Sequence, residues 1–316
     1  MALDPDAERV LEMVRQSGRP PYEKVTPAEA RALFRAGRDV LSPEPAPVAA
    51  IRDLAAPGLN GGMIPLRLYR GTGTAADAVL PALVYFHGGG WVVGDLDTYD
   101  SLCRHIANAA QCMVVAVDYR LAPEHKFPAA VDDCLAATRW VAETGAALGI
   151  DAGRLAVGGD SAGGNLAAVV SLSSRDRGAP RLCSQLLLYP AVDFAMNHAS
   201  TRRLAEGHLL TLATMQWFAG HYLRGTEDIA DWRASPLRAP GFADVAPAFV
   251  LTAGYDPLCD EGMAYAGRLE DAGVAVIRQH IPDQIHGFLN MGRIVRAAEP
   301  ALDGIAAALK TAFDQV

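Results

Sequence analysis

Leu155-Ala156-Val157-Gly158-Gly159-Asp160-Ser161-Ala162-Gly163-Gly164-Asn165-Leu166-Ala167-Ala168-Val169-Val170 decides the fold. Its first four residues are an apolar run of strand character, and its last six read as helix. Only the glycine-rich stretch between them is left to make the turn. Gly159 to Gly163 match G-x-S-x-G, in which a serine on a sharp strand-to-helix bend projects its hydroxyl outward. Glycines two before and two after the serine leave room for so tight a bend. The helix that follows adds positive dipole where an alkoxide would form. A glycine- and serine-rich loop without chemistry needs neither the strand before it nor the helix after it.

Outward from this unit, short apolar runs alternate with helix-length stretches. The expected strands are Ile51–Leu54, Ile64–Tyr69, Ala82–Phe86, Met113–Asp118, Leu155–Gly158, Gln185–Tyr189, Ala248–Ala253 and Val274–Gln279. Between them lie expected helices at 98–110, 128–148, 162–174 and 257–272, with a last one over Pro300–Phe313 presenting Leu302, Ile305, Leu309 and Phe313 inward. Several strands are continuous apolar runs, as in a parallel sheet buried on both faces. The alternation predicts an α/β fold with helices on both sides of the sheet.

Two stretches break the rhythm. Residues 1–47 read as an N-terminal helical segment. In it Thr26 precedes Glu29 by three residues as a capping box, Pro27 takes the first helical position, and Ser42–Pro47 ends the helix. Residues 193–235 read as an insertion between two strands, with a helix over Thr211–Leu223. The remaining 48–192 and 236–316 make one catalytic unit. There is no internal repeat and no low-complexity tract.

The chain of 316 residues is 51% hydrophobic and 20% charged, the balance of a packed globular protein. Its 28 Lys and Arg against 36 Asp and Glu give a net charge of −8, which argues against nucleic acid or anionic membranes as partners. No apolar run approaches the roughly 20 residues that span a bilayer. The acidic start, Ala2-Leu3-Asp4-Pro5-Asp6, is unlike a signal peptide. The five cysteines are widely spaced and include no CxxC pair, so a reduced, cytoplasmic protein is expected.

A second motif, His87-Gly88-Gly89-Gly90-Trp91, follows the strand Ala82–Phe86 directly. Glycines let a backbone approach a ligand closely and aim N–H groups at it, as an oxyanion hole requires. The expected donors are the N–H groups of Gly88, Gly89 and Ala162, with His87 ordering the loop. A serine nucleophile also needs a base and an orienting acid, in the chain order Ser, Asp or Glu, His. Asp256 follows the strand Ala248–Ala253, at the strand end where sites of open α/β sheets collect. His286, in Pro282-Asp283-Gln284-Ile285-His286-Gly287-Phe288, is read as a loop residue able to reach across. Asp260, Glu261 and Asp283 are rival acids, and His198, His208, His221 and His280 rival bases. Trp91, Trp217, Phe218 and Tyr222 are expected pocket walls, joined by Phe194, Met196, Leu209 and Leu210.

These stretches together resemble the hormone-sensitive-lipase-like esterases of the α/β-hydrolase superfamily. The resemblance rests on His87–Gly90, Asp118-Tyr119-Arg120-Leu121-Ala122-Pro123-Glu124, Phe127-Pro128-Ala129, Gly159–Gly164, Tyr255-Asp256-Pro257-Leu258 with Asp260-Glu261-Gly262, and His286-Gly287-Phe288. It runs in order from about residue 80 to about 290. It implies carboxylic ester hydrolysis by Ser161, Asp256 and His286, and a cap built from 1–47 and 193–235. A homodimer is a further family-level expectation. Asp283-Gln284-Ile285 departs from the glycine and small or apolar pair often found before the histidine. A mostly apolar cap predicts short- to medium-chain acyl esters without charge. Amide, carbamate or lactone hydrolysis on the same triad is the alternative, and a non-catalytic ligand-binding protein is the rival class. No cofactor is expected: there is neither GxxxxGK[ST] nor HExxH, and Gly71-Thr72-Gly73 lacks a glycine at Ala76.

Overall fold

Alternation along single strands dictates the layers. In β3 (Leu80–Phe86), Ala82, Val84 and Phe86 belong to one apolar core and Leu83 and Tyr85 to another, all fully buried. A strand apolar on both sides must be covered on both sides. The computed structural model describes residues 2–59 and 61–316; Met1 and Asn60, in the expected N-terminal segment and catalytic unit, lie outside it. The other strands are β1 (Ala50–Pro57), β2 (Met63–Arg70), β4 (Met113–Val117), β5 (Ile150–Asp160), β6 (Ser184–Leu188), β7 (Ala248–Tyr255) and β8 (Val276–Ile285). Each contains or overlaps one of the expected runs.

The sheet has eight strands in the order β1-β2-β4-β3-β5-β6-β7-β8. β2 is antiparallel to β1 and β4, and every pairing from β4 to β8 is parallel. Helix α4 (Ala129–Leu148), α5 (Ala162–Arg177) and α8 (Cys259–Asp271) cover one face, through residues such as Val131, Leu166 and Tyr265. Helix α3 (Asp100–Ala110) and α9 (Ala298–Asp314) cover the other, with Leu302, Ile305, Leu309 and Phe313 buried as their spacing predicts.

From β3 the chain steps out to β4, then returns to lay β5 on β3's other side. The strand order reverses there, and ligands of open α/β sheets bind outside the strand ends at such a point. The glycine loop after β3 and the serine turn after β5 therefore emerge side by side, with Phe86 paired to Gly159.

The two segments outside the strand–helix rhythm meet above these strand ends. The first holds α1 (Pro5–Gln16) and α2 (Pro27–Leu41), and the Thr26–Glu29 capping box is formed. The insertion holds α6 (Ala199–Arg203) and α7 (Leu212–Tyr222). Tyr22 stacks on Trp217 with centroids 6.1 Å apart, and Thr214 Oγ1 donates to Glu23 Oε2 at 3.0 Å. Arg31 of α2 reaches the body of the fold, donating to Val92 O and Ala122 O at 2.9 Å and gripping Glu124 with both nitrogens at 2.8 and 2.6 Å. Among the described residues no helix is long and apolar enough to cross a membrane.

Candidate active site

Ser161 sits between β5 and α5 with φ +56° and ψ −117°, a backbone conformation that costs a non-glycine residue roughly 1–3 kcal/mol. Its flanking glycines have a cause that the turn alone does not reveal. A Cβ on Gly163 would lie 1.9 Å from Phe86 O, and one on Gly159 2.3 Å from the same oxygen. The pentapeptide is glycine-flanked because the end of β3 presses into the bend.

The triad members converge. Ser161 Oγ lies 2.9 Å from His286 Nε2, and His286 Nδ1 lies 2.7 Å from Asp256 Oδ2. Asp256 is fully buried, and its Oδ1 accepts the Leu258 N–H at 2.9 Å. That bond and the one to His286 hold the carboxylate in one orientation. One expectation is corrected here: residues 282–285 are not loop but the end of β8, so His286 follows a strand directly. Pro282 and Asp283 look like breakers, but β8 is an edge strand, where proline is tolerated. Gly254 permits the arrangement, since a Cβ there would lie 2.0 Å from Pro282 O. The close approach brings the ends of β7 and β8, and so Asp256 and His286, together.

Asp260, Glu261 and His280 are engaged elsewhere. Asp260 accepts Ser200 N–H at 2.7 Å, and Glu261 accepts Val192 N–H at 2.7 Å and Asp193 N–H at 3.2 Å. Glu261 is fully buried, and desolvation pushes its carboxyl well above the usual range. Asp283 O accepts Asp4 N–H at 3.0 Å, and His280 Nδ1 pairs with Thr252 Oγ1 at 2.9 Å.

The oxyanion assignment needs a correction. Gly88 N–H is already spent on Asp160 Oδ1 at 2.9 Å. Asp160, 2% exposed, also accepts Tyr85 Oη at 2.9 Å and Tyr99 Oη at 3.0 Å. It ties the glycine loop to the residue before the nucleophile. The sequence offers no local sign of this, because Asp160 is simply the variable position of the motif. Among the described residues the N–H groups of Gly89, Gly90 and Ala162 meet no acceptor, and Gly89, Gly90 and Ser161 all line one cavity. His87 Nδ1 lies 2.7 Å from Gly88 O, its ring is stacked on Tyr119 at 4.3 Å, and burial lowers its pKa. It is a neutral brace for the loop. Tyr119 Oη donates to His87 O at 2.7 Å and Ala122 N–H to Trp91 O at 2.8 Å, so the 118–124 stretch braces the glycine loop.

The cavity at Ser161 has a volume of about 390 Å³, enough for a small ester. Trp91 and Phe218 line it, as do Phe194, Met196, Leu209 and Leu210. Trp217 and Tyr222 are not in its lining, contrary to expectation. Trp217 points a third of a turn away from Phe218 and packs on Tyr22 and His221. Tyr222 lies behind Trp91, fully buried and stacked on it at 4.5 Å.

Comparison with known proteins identifies the family. Residues 83–290 match the α/β hydrolase fold family. The ethyl acetate hydrolase of Pseudomonas putida is 41% identical over 98% of this chain and 99% of its own length. The carboxylesterase NlhH of Mycobacterium tuberculosis is 46% identical over 74% of each chain. Among solved structures, an α/β hydrolase from the metagenome of Lake Arreo, Spain, superposes with a TM-score of 0.95 at 43% identity, covering 99% of both chains. The chain therefore belongs to the α/β hydrolase fold family, as a hormone-sensitive-lipase-like carboxylic ester hydrolase.

Proposed function

We propose that Ser161, His286 and Asp256 hydrolyse short- to medium-chain acyl esters through an acyl-enzyme. The observation that carries this reading is the unbroken chain of contacts from Asp256 through His286 to the Ser161 hydroxyl, 2.7 and 2.9 Å long. His286 Nε2 takes the hydroxyl proton as Ser161 attacks the ester carbonyl, then returns it to the departing alcohol. Asp256 stays ionised, keeping the imidazole proton on Nδ1 and stabilising the imidazolium. Water activated by the same nitrogen releases the acid. The N–H groups of Gly89, Gly90 and Ala162 receive the oxyanion, each donor being worth about 3–4 kcal/mol in the transition state. We propose also that 1–47 and 193–235 act together as the cap over 48–192 and 236–316; the Tyr22–Trp217 and Glu23–Thr214 contacts support this division.

The size of the cavity and the name of the ethyl acetate hydrolase relative favour small acyl groups. A 4-nitrophenyl ester series from acetate to palmitate is expected to peak at or below about eight carbons, with a fluorophosphonate adding one label, at Ser161. A peak at palmitate, or a label elsewhere, defeats the reading. Matched amide, carbamate and lactone substrates are expected to turn over more slowly than the esters.

A homodimer and a cytoplasmic location complete the proposal. The exposed edge strand β8, with Ile277 53% exposed, supports the first, and five unpaired cysteines support the second. Light scattering that returned the single-chain mass of 33.4 kDa would exclude the dimer.

A further inference from the structure

The cavity is apolar over most of its wall, yet one side of it carries cations without counter-ions. Arg15, Arg19 and Arg38, from the N-terminal segment, all line it. Arg15 is paired with Glu12 at 2.6 Å. Arg19 and Arg38 meet no carboxylate among the described residues. The acids on the same cavity are committed elsewhere. Asp160 holds three donors, Asp193 pairs with Arg238 at 2.9 Å, and Glu261 is bound to Val192 N–H and Asp193 N–H at 2.7 and 3.2 Å.

Arg38 is half-buried and preorganised. Its guanidinium carbon lies 4.6 Å from the Phe34 ring centroid and 5.1 Å from that of Tyr99. Nη2 donates to Tyr99 Oη at 3.3 Å and Nη1 to Asn290 O at 3.5 Å, both long, and Nε is buried without a partner. Tyr99 Oη in turn reaches Asp160, so Arg38 stands two hydrogen bonds from the residue beside the nucleophile. Arg19 lies over the Tyr22 ring at 6.0 Å, its Nη1 3.7 Å from where a Cβ on Gly37 would be. Tyr22, which lines the same cavity, feels the charge of both guanidinium groups. A guanidinium stacked on rings is weakly hydrated and keeps its planar fork for a carboxylate. In a protein of net charge −8, a local cluster of cations is what would favour an anion at this site.

We propose that Arg19 and Arg38 form a subsite for a carboxylate that the substrate carries away from its ester bond, so that the enzyme takes acidic esters as well as neutral ones. The proposal rests on Ser161 being the esterase nucleophile. It departs from the expectation of uncharged substrates because the arginines come from a segment whose distance to Ser161 only the fold sets.

The test uses the intact protein and two matched pairs. One is mono-4-nitrophenyl glutarate with its methyl-capped diester, which puts the carboxylate on the acyl side. The other is 4-butyryloxybenzoate with its methyl ester, which puts it on the alcohol side. The readout is the ratio of kcat/KM for acid over capped ester, which cancels any loss common to both. Arg19→Met and Arg38→Met are each expected to lower the ratio about tenfold for at least one pair, the affected pair naming the side. Arg38→Lys is expected to fall between wild type and Arg38→Met. In wild type the ratio falls as salt is raised. Ratios unchanged in both methionine variants for both pairs overturn the subsite while leaving the esterase reading intact. Turnover of none of the four esters by the wild type would instead overturn the esterase reading itself.

Discussion

Ser161→Ala lowers kcat for 4-nitrophenyl butyrate by about 10⁵–10⁶-fold, the scale on which loss of a serine nucleophile stops acyl transfer. The variant lacks the hydroxyl oxygen, 2.9 Å from His286 Nε2, that forms the acyl-enzyme. What remains is the rate from the amide cradle and from binding alone. The fold is retained, because alanine meets the same backbone strain at φ +56° that serine already bears. Far-UV circular dichroism and thermal unfolding check that half of the result, and stopped or initial-rate assays check the other. A rate within tenfold of wild type would remove Ser161 from the mechanism.

Asp256→Asn is expected to cost about 10⁴-fold in kcat, with little change in KM. The argument is one of tautomers. Asp256 Oδ2 accepts from His286 Nδ1 at 2.7 Å, while Oδ1 is held by Leu258 N–H at 2.9 Å. Because Leu258 N–H fixes the amide oxygen of an asparagine, its NH₂ faces His286 Nδ1. The imidazole must then carry its proton on Nε2, facing Ser161, where it is no longer a base. Asp283→Asn is the matched control: Asp283 lies in β8, before His286 on the same segment, and its backbone pairs with Asp4. Loss of activity in the control with survival of Asp256→Asn would reverse the assignment.

Much of this molecule is legible in the linear order of its residues. Each of the eight strands contains or overlaps one of the expected runs, and the capping box at Thr26 and Glu29 forms as spelled. These signals are short in range: periodicity, caps and turn residues act over a few positions. The triad is legible for a different reason. Its members follow strand ends, and strand ends of a parallel sheet converge on one side. The end of β8 was not legible, because Pro282 breaks a strand on local grounds and is accepted only at an edge beside Gly254.

The oxyanion donors show the limit more sharply. Gly88, Gly89 and Gly90 are indistinguishable in sequence, yet one amide is taken by Asp160, 72 positions away. The pocket walls follow the same logic. Trp217 and Phe218 are neighbours in the chain and both pack on Tyr22, but only Phe218 lines the cavity, and Tyr222 is shut out by Trp91.

By itself, the sequence determined the order of elements, which serine, histidine and aspartate would converge, and the class of reaction, since each depends on local pattern and on strand-end position. The tertiary structure alone decided which glycine amides stay free, which aromatic rings face the cavity, and that two arginines reach it without a counter-ion. Those outcomes turn on which groups are already satisfied by partners far along the chain, and no local pattern records that.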